Sequence, residues 1–354
     1  MTASPRIFHG PANICGMGGY IAAWQRKEKN ASADFIVFSD NTPFQNSDKN
    51  LHFEKKRYWA RQISQIQFFF WAVKKYDLFH FYFGKTLLPA SIDLPILRLL
   101  GKKIIMNYVG SDIRLYRLLS KANPFYRLRK AKSRWDHFDL AKRARMIWQG
   151  LWFHYCFAGP ELYTHAQTSI PKRKIIRDTW INKTLNVPKT RPGHARNQVP
   201  LVIHAPTDVH TKGTSFIEQS FKDLQSEGLQ FTYRIYQGLP HDELMEKLTE
   251  GDILVDQLIS GGYGTIAMEG MAFGKPVCGY VMPSIRKQIP DLPIVQCTID
   301  TIKDQLRDLI EDNKKRERIG REGWEFARKH FDRETIYEDV WQLYLSLWNN
   351  KLSY

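Results

Sequence analysis

With 354 residues, 43% of them hydrophobic and 13% aromatic, the chain can fill two domain cores, which excludes a disordered tail. Its formal charge of +16 points to an anionic partner, and nucleic acid, a phospholipid surface and a phosphorylated substrate all qualify. Cys15, Cys156, Cys278 and Cys297 stand far apart without CxxC or Cys/His spacing, which argues against a zinc site and for reduced thiols in the cytosol.

The opening MTASPRIFHGPANICGMGG lacks the basic, apolar, small-residue order of a signal peptide and enters a strand directly, so export is not expected. Strands are predicted at PRIFHG, DFIVFSD, DLFHFYFG, KKIIMNYVG, FHYCFAG and KIIRDTWI, with helices near 18–29, 56–75, 90–100 and 114–145. The most apolar run, IQFFFWAV at 66–73, is far short of the roughly 20 residues that cross a bilayer, so any membrane contact is peripheral. The stretch NVPKTRPGHARNQVP at 186–200 reads as an exposed linker. The alternation then restarts with LVIHAP, SFIEQSFKDLQSEG, FTYRIYQG, HDELMEKLTEG, DILVDQL, a glycine loop with its helix, and PVCGYV. Ser215 and Glu218 have capping-box spacing. Residues 301–350 read as almost wholly helical, and Trp341, Tyr344, Leu345 and Trp348 form an apolar stripe on the last helix. Such alternation is the signature of parallel sheets covered on both faces. The expected class is therefore α/β, with domains at 1–190 and 200–335 and a final helix over 336–354.

Ligands of open α/β sheets sit beyond the carboxyl ends of the strands, where helix starts offer N–H groups to phosphate. The loops GPANICGMGGY, APTDVHTKGTS and LISGGYGTIAMEGMAFGKPVCGYV take that place. Gly18 and Gly19 suit close approach of backbone to a ligand, and equally a plain tight turn. None of the loops is GxGxxG or GxxxxGK[ST], so ordinary dinucleotide and NTP sites lose support. Lys212, before Gly213 at a helix mouth, can reach a phosphate; the plain alternative is a solvated lysine. Glu269 sits comfortably in the first turns of a helix, and beside a phosphate site it can also accept hydrogen bonds from ribose hydroxyls.

Through YGTIAMEGMAFGKPV, HAPTDVHTKGT and FHFYFGKTLLPASIDLPILRLLGKKIIMNYVGSDIR, the chain resembles the family 4 retaining glycosyltransferases from about Gly10 to its end. The resemblance implies a GT-B fold: two Rossmann-like domains facing a central cleft, with a helical C-terminus crossing back to the first. By the same resemblance Lys212 pairs with the donor diphosphate and Glu269, second glutamate of the Glu, seven residues, Glu motif, holds the ribose. Tyr263, Gly264 and Thr265 belong to that motif; Gly18 and Gly19 approach the donor, and Ser111 and Asp112 match a Gly-Ser-Asp segment. The chain departs from the family in three places. Gly261 replaces the motif's first glutamate, Pro206 and Thr207 occupy the place of an arginine, and Val109 replaces a histidine.

The resemblance implies a metal-independent transfer without cofactor, in which Lys212 stabilises the departing diphosphate and Asp112 orients acceptor or sugar. The donor set is Gly18, Gly19, Thr207, Lys212, Gly261, Tyr263, Gly264, Thr265 and Glu269. Residues 98–145 carry about 14 Lys and Arg against 3 Asp, with Tyr116, Phe125, Tyr126 and Trp135 among them. That pattern suits an anionic leaflet and a glycan or lipid-linked acceptor at its cytoplasmic face. Single-stranded nucleic acid is the competing partner, without an RRM, KH or zinc-finger signature to support it. A catalytically degenerate GT-B protein that binds membrane or glycan is the third reading, argued from Gly261. Sugar-nucleotide epimerases share the fold.

Overall fold

In the computed structural model, which describes residues 4–40, 42, 45–128, 138–177, 185–192 and 199–349, the alternating pattern builds two parallel sheets. The first half runs β1 (Ile7–Gly10), α1 (Met17–Lys29), β2 (Ala33–Val37), β3 (Lys49–Asn50), α2 (Tyr58–Lys75) and β4 (Leu78–Tyr82). It continues with α3 (Asp93–Leu99), β5 (Lys103–Asn107), α4 (Tyr116–Ala122), α5 (Asp139–Trp152), β6 (Tyr155–Phe157), α6 (Pro160–Gln167) and β7 (Ile175–Ile176). The strand order is β3-β2-β1-β4-β5-β6-β7.

Right-handed crossovers decide which face each helix covers. α1 leads away from β1 in one direction, whereas α2, α3 and α5 lead in the other, so they cover the opposite face. Alternate side chains follow suit: Ile7, Phe35, Leu78 and Ile105 pack with Ile21 and Trp24 of α1. Phe8 turns the other way, its ring 6.1 Å from that of Phe68 on α2.

The second half runs β8 (Leu201–His204), α7 (Val209–Lys212), α8 (Thr214–Ser226), β9 (Thr232–Ile235), α9 (His241–Glu250), β10 (Ile253–Val255) and α10 (Thr265–Ala272). After these come β11 (Val277–Gly279), α11 (Pro283–Gln288), β12 (Ile294–Gln296), α12 (Ile302–Glu311), α13 (Asn313–His330) and α14 (Arg333–Trp348). Its sheet has the order β12-β11-β10-β8-β9.

Among the described residues, one compact unit holds 4–116, 138–177 and 334–349, and the other 117–128, 185–192 and 199–333. α14 thus belongs to the first unit, where Ile336, Tyr337, Val340, Trp341, Tyr344 and Leu347 join the α1 face of the core. A buried polar contact fastens it there, beside a second histidine bonded within the sheet and α1. His80 Nδ1 meets the Tyr344 hydroxyl, while His9 bonds the Tyr82 hydroxyl at 2.8 Å and Gln25 Oε1 at 2.9 Å.

Some local expectations change. Helix 114–145 is two helices, α4 and α5, and residues 129–137, including Trp135, lie outside the described set. Of KIIRDTWI, Ile175 and Ile176 form β7, and residues 178–181 lie outside the described residues. The linker is not wholly exposed: Val187 is buried and Pro188 accepts the Trp324 indole N–H at 3.1 Å, while 193–198 lie outside the described residues. Ser215 and Glu218 form no capping box, because α8 starts from Gly213 with no side-chain cap and Glu218 pairs with Lys222 at 3.0 Å.

Candidate functional site

β8 and β10 are neighbours, His204 opposite Val255, and the chain leaves them toward opposite edges of the sheet. Their carboxyl ends therefore form the topological switch point, where open α/β sheets bind ligands. Past β8, Asp208 caps α7 by accepting the Thr211 N–H at 2.8 Å, and Gly213 at φ +75° lets the chain turn at once into α8. That turn keeps Lys212 over the end of the sheet, 8% exposed, with its ammonium on Oδ1 of Asp256, the residue that follows β10. Asp256 is 3% exposed, and its Oδ2 accepts the N–H of Gly264, the N-cap of α10, at 2.6 Å. One carboxylate thus satisfies an ammonium and a helix start together, as a buried ion pair requires if its desolvation is to be offset. A side chain at 264 would place its Cβ 2.8 Å from Lys212 Nζ and 3.1 Å from Asp256 Oδ1, so any residue but glycine would displace this pair.

Beneath the pair, His204 Nδ1–H donates to the Val255 carbonyl at 2.8 Å and Nε2 accepts from the Thr214 hydroxyl at 2.9 Å. Burial pushes its pKa down to about 4, so the ring is neutral at neutral pH. Glu269, on α10 and 4% exposed, meets His241 Nε2 through Oε1 at 2.8 Å. Burial raises the carboxyl pKa of Glu269 and so opposes its ionisation, whereas the bond to His241 lowers it; the same bond raises the pKa of His241 and favours its protonated form. A cavity of about 680 Å³ opens past the carboxyl ends of β8 and β9, lined by Pro206, Thr207, Asp208, His210, Tyr236, Gln237 and Leu244 among others.

The structure thus brings Lys212, Gly264 and, along the same helix, Glu269 to the ends of β8 and β10, with Thr207 in the adjoining cavity wall and Thr265 exposed at the α10 start. Other expected residues face protein. Tyr263 is 2% exposed with its ring 6.4 Å from Phe331. Gly261 takes φ +76°, and a Cβ there would lie 2.6 Å from both Asn123 Nδ2 and Met282 Cγ. Gly18 and Gly19 lie in the first turn of α1, where a Cβ would run into the Phe35 ring and into Asn46; the close approach they permit is to these side chains and backbone. Asp112 is buried, and its carboxylate accepts the Gly110 N–H at 2.6 Å and the Val109 N–H at 3.2 Å. With Ser111, Lys142, Arg145 and Trp148 it lines an 800 Å³ cavity of the first unit.

Asp256 and His241 are the site residues that sequence reasoning missed. Asp256 was hidden inside a strand-like run; its one signal is a carboxylate at a position where the flanking Ile253, Leu254, Val255 and Leu258 are buried and apolar. Among the described residues no three His, Cys, Asp or Glu side chains gather in the manner of a metal site.

Residues 209–326, from α7 into α13, match the sequence model of the family described as Glycosyl transferases group 1. Over that stretch the second unit is similar to the glycosyl transferases group 1 family. No curated protein matches the chain by sequence. Among solved structures, sucrose-phosphate synthase of Thermosynechococcus elongatus is 12% identical, with a TM-score of 0.67 over 97% of this chain and 99% of that one. HepE of Anabaena, solved with UDP and glucose, is 14% identical, with a TM-score of 0.64 over 96% and 99%. WaaG, a glycosyltransferase involved in lipopolysaccharide biosynthesis, is 12% identical, with a TM-score of 0.60 over 95% and 98%. The fold is that of the GT-B glycosyltransferases.

Proposed function

We propose that this protein is a retaining glycosyltransferase of the family 4 type, moving a sugar from a nucleotide-sugar to a glycan or lipid-linked acceptor of the cell surface. The observation that carries the reading is the meeting of Lys212 with the start of α10 at the switch point of the second sheet. An ammonium and helix N–H groups on one spot are what a donor diphosphate needs, in ground state and as leaving group. The ribose then falls to Glu269, held in place by His241, and the base to the 680 Å³ cavity with Tyr236 in its wall. The departing diphosphate takes the acceptor's proton, so no separate base and no metal is required. Asp112 acts by holding the turn that floors the first unit's cavity, where Lys142, Arg145 and Trp148 suit an acceptor with an anionic and an apolar part.

A peripheral membrane location at the inner face belongs to the same proposal, on a different surface from the one expected. Phe125 packs edge-on against Tyr280 and Tyr126 is buried, so these aromatics of the basic stretch are not offered to a membrane. The exposed apolar residues are instead Trp59, Ile63, Ile66 and Phe70 on α2, Ile92, Ile96 and Leu99 at α3, and Leu140, Ile147 and Leu151 on α5. The sets on α2 and α3 recur every three or four residues and that on α5 after seven and four, so each is one outward face of its helix, and all three helices cover the same face of the sheet. Lys55, Lys56, Arg57 and Arg61 border it, exposed. Patches of this kind mark interaction sites, and basic residues beside aromatics suit an anionic leaflet.

The deciding measurement is thermal shift against nucleoside diphosphates and their sugars, for the wild type, Lys212→Ala and the near-isosteric Glu269→Gln. Stabilisation by one nucleotide class, lost in both variants, is expected. Absence of any shift would remove the nucleotide site and leave a degenerate fold that binds membrane or glycan. Release of free or epimerised sugar without an acceptor would replace transfer with hydrolysis or epimerisation.

A further inference from the structure

Resting on the nucleotide reading, we infer that Asp256 is a built-in competitor for the donor diphosphate: it occupies the two donors the diphosphate would use and thereby keeps the product nucleoside diphosphate weakly bound. The Asp256 carboxylate takes the Lys212 ammonium on one oxygen and the Gly264 N–H on the other, the pair that defines the anion site. Both side chains are almost fully buried, so the pair is formed inside the protein. Among the described residues no second cation shares the carboxylate, and the neighbouring charged group on α10 is another carboxylate, Glu269, whose own pairing is with His241. A diphosphate that enters must therefore draw Lys212 and the helix start from a ligand of its own sign. Its binding is an exchange of anions.

The same exchange runs backwards after transfer. As the product leaves, Asp256 recovers Lys212, so no buried ammonium is stranded without a partner, which would be costly. Asp256 in this role is a positioning residue: it touches neither sugar nor acceptor and acts through Lys212.

The direction of the effect separates exchange from simple support. If Asp256 competes, Asp256→Asn keeps the size, leaves one accepting oxygen for the two donors, removes the charge, and tightens binding of UDP and of inorganic pyrophosphate by about tenfold, the equivalent of one pKa unit of electrostatic change. Turnover number then falls with KM because product release slows. Asp256→Glu retains the charge and stays within about twofold of wild type on the same scale. If Asp256 merely props Lys212 in place, Asp256→Asn weakens binding instead, which overturns the inference.

Isothermal titration of wild type, Asp256→Asn, Asp256→Ser and Asp256→Glu with UDP and pyrophosphate tests this, with circular dichroism to confirm folding. Asp256→Ser supplies a second uncharged side chain should the asparagine variant not fold. Tighter binding in the uncharged variants supports the exchange; equal or weaker binding, with wild type binding normally, overturns the exchange alone. If wild type and all variants fail to bind either probe, the nucleotide reading falls and the exchange falls with it.

Discussion

At position 261 a single missing side chain separates this chain from the motif it resembles, and the structure gives a physical reason. Gly261 has φ +76°, and the space its Cβ would need is taken by Asn123 and Met282. Asn123 is itself fixed, its Nδ2 donating to the Ile259 carbonyl at 2.8 Å. Gly261→Glu, which restores the motif on paper, is therefore expected to lose stability and not to gain activity. Strain from the left-handed backbone costs about 1–2 kcal/mol, and overpacking adds about 1–3 kcal/mol. Gly101 separates the two, since it has φ +72° and nothing within 4 Å of its would-be Cβ. Urea denaturation should show Gly101→Ala losing only the strain and Gly261→Ala clearly more. Equal losses would mean that Asn123 and Met282 yield freely and that packing does not bar a side chain at 261.

The helix that closes the first unit raises the question at the scale of elements. α14 reaches the sheet from the far end of the sequence and is pinned by His80 and Tyr344, two residues whose partnership no local pattern reveals. Its apolar stripe was legible because Trp341 and Tyr344 recur at helical spacing. The strands were legible for a similar reason, since a parallel sheet buried on both faces reads as continuous apolar runs such as LFHFY. Short or polar pieces were not: β3 has two residues, β12 three and α7 four, too few for a period to register. At the candidate site Lys212, Gly264 and Glu269 were legible through their glycine-rich context. Asp256 and His241 were not, because their partners lie 44 and 28 residues away along the chain.

The buried histidines make the α14 contact sensitive to acid. Burial lowers His9 to about 4 and His80 well below its ordinary value, against about 6.5 in an unfolded chain. With the folded pKa depressed, their stabilising contribution is complete above about 6.5 and is lost as pH falls toward 4. The depression of His9 alone is worth on the order of 3 kcal/mol. Urea midpoints are expected to drop across that interval, and Tyr344→Phe, which leaves the His80 Nδ1 without its hydroxyl, should lower the midpoint at every pH by about 1–3 kcal/mol in stability. A flat profile between pH 6.5 and 4 would show that the rings stay hydrated in the folded state.

At the scale of the whole molecule, the charge of +16 is a long-range attraction to anions and the apolar face of α2, α3 and α5 a short-range one, and the proposed membrane contact rests on their combination. Among the described residues no helix is long and apolar enough to cross one. The charged part is screened by salt, the Debye length falling from about 8 Å at 0.15 M to about 3 Å at 1 M, while burial of Trp59 and Phe70 in the interface is not. Co-sedimentation with vesicles should therefore show strong binding to anionic lipid, weak binding to zwitterionic lipid, and partial loss in high salt. The paired change Trp59→Ser and Phe70→Ser should remove what salt leaves behind, since both side chains are exposed, at 76% and 61%, and their loss opens no cavity in the core. Retained binding by that variant would put the contact on the basic residues alone. Failure of the wild type to bind anionic vesicles, with self-association that the same variant abolishes, would make this face an interface between two copies of the chain.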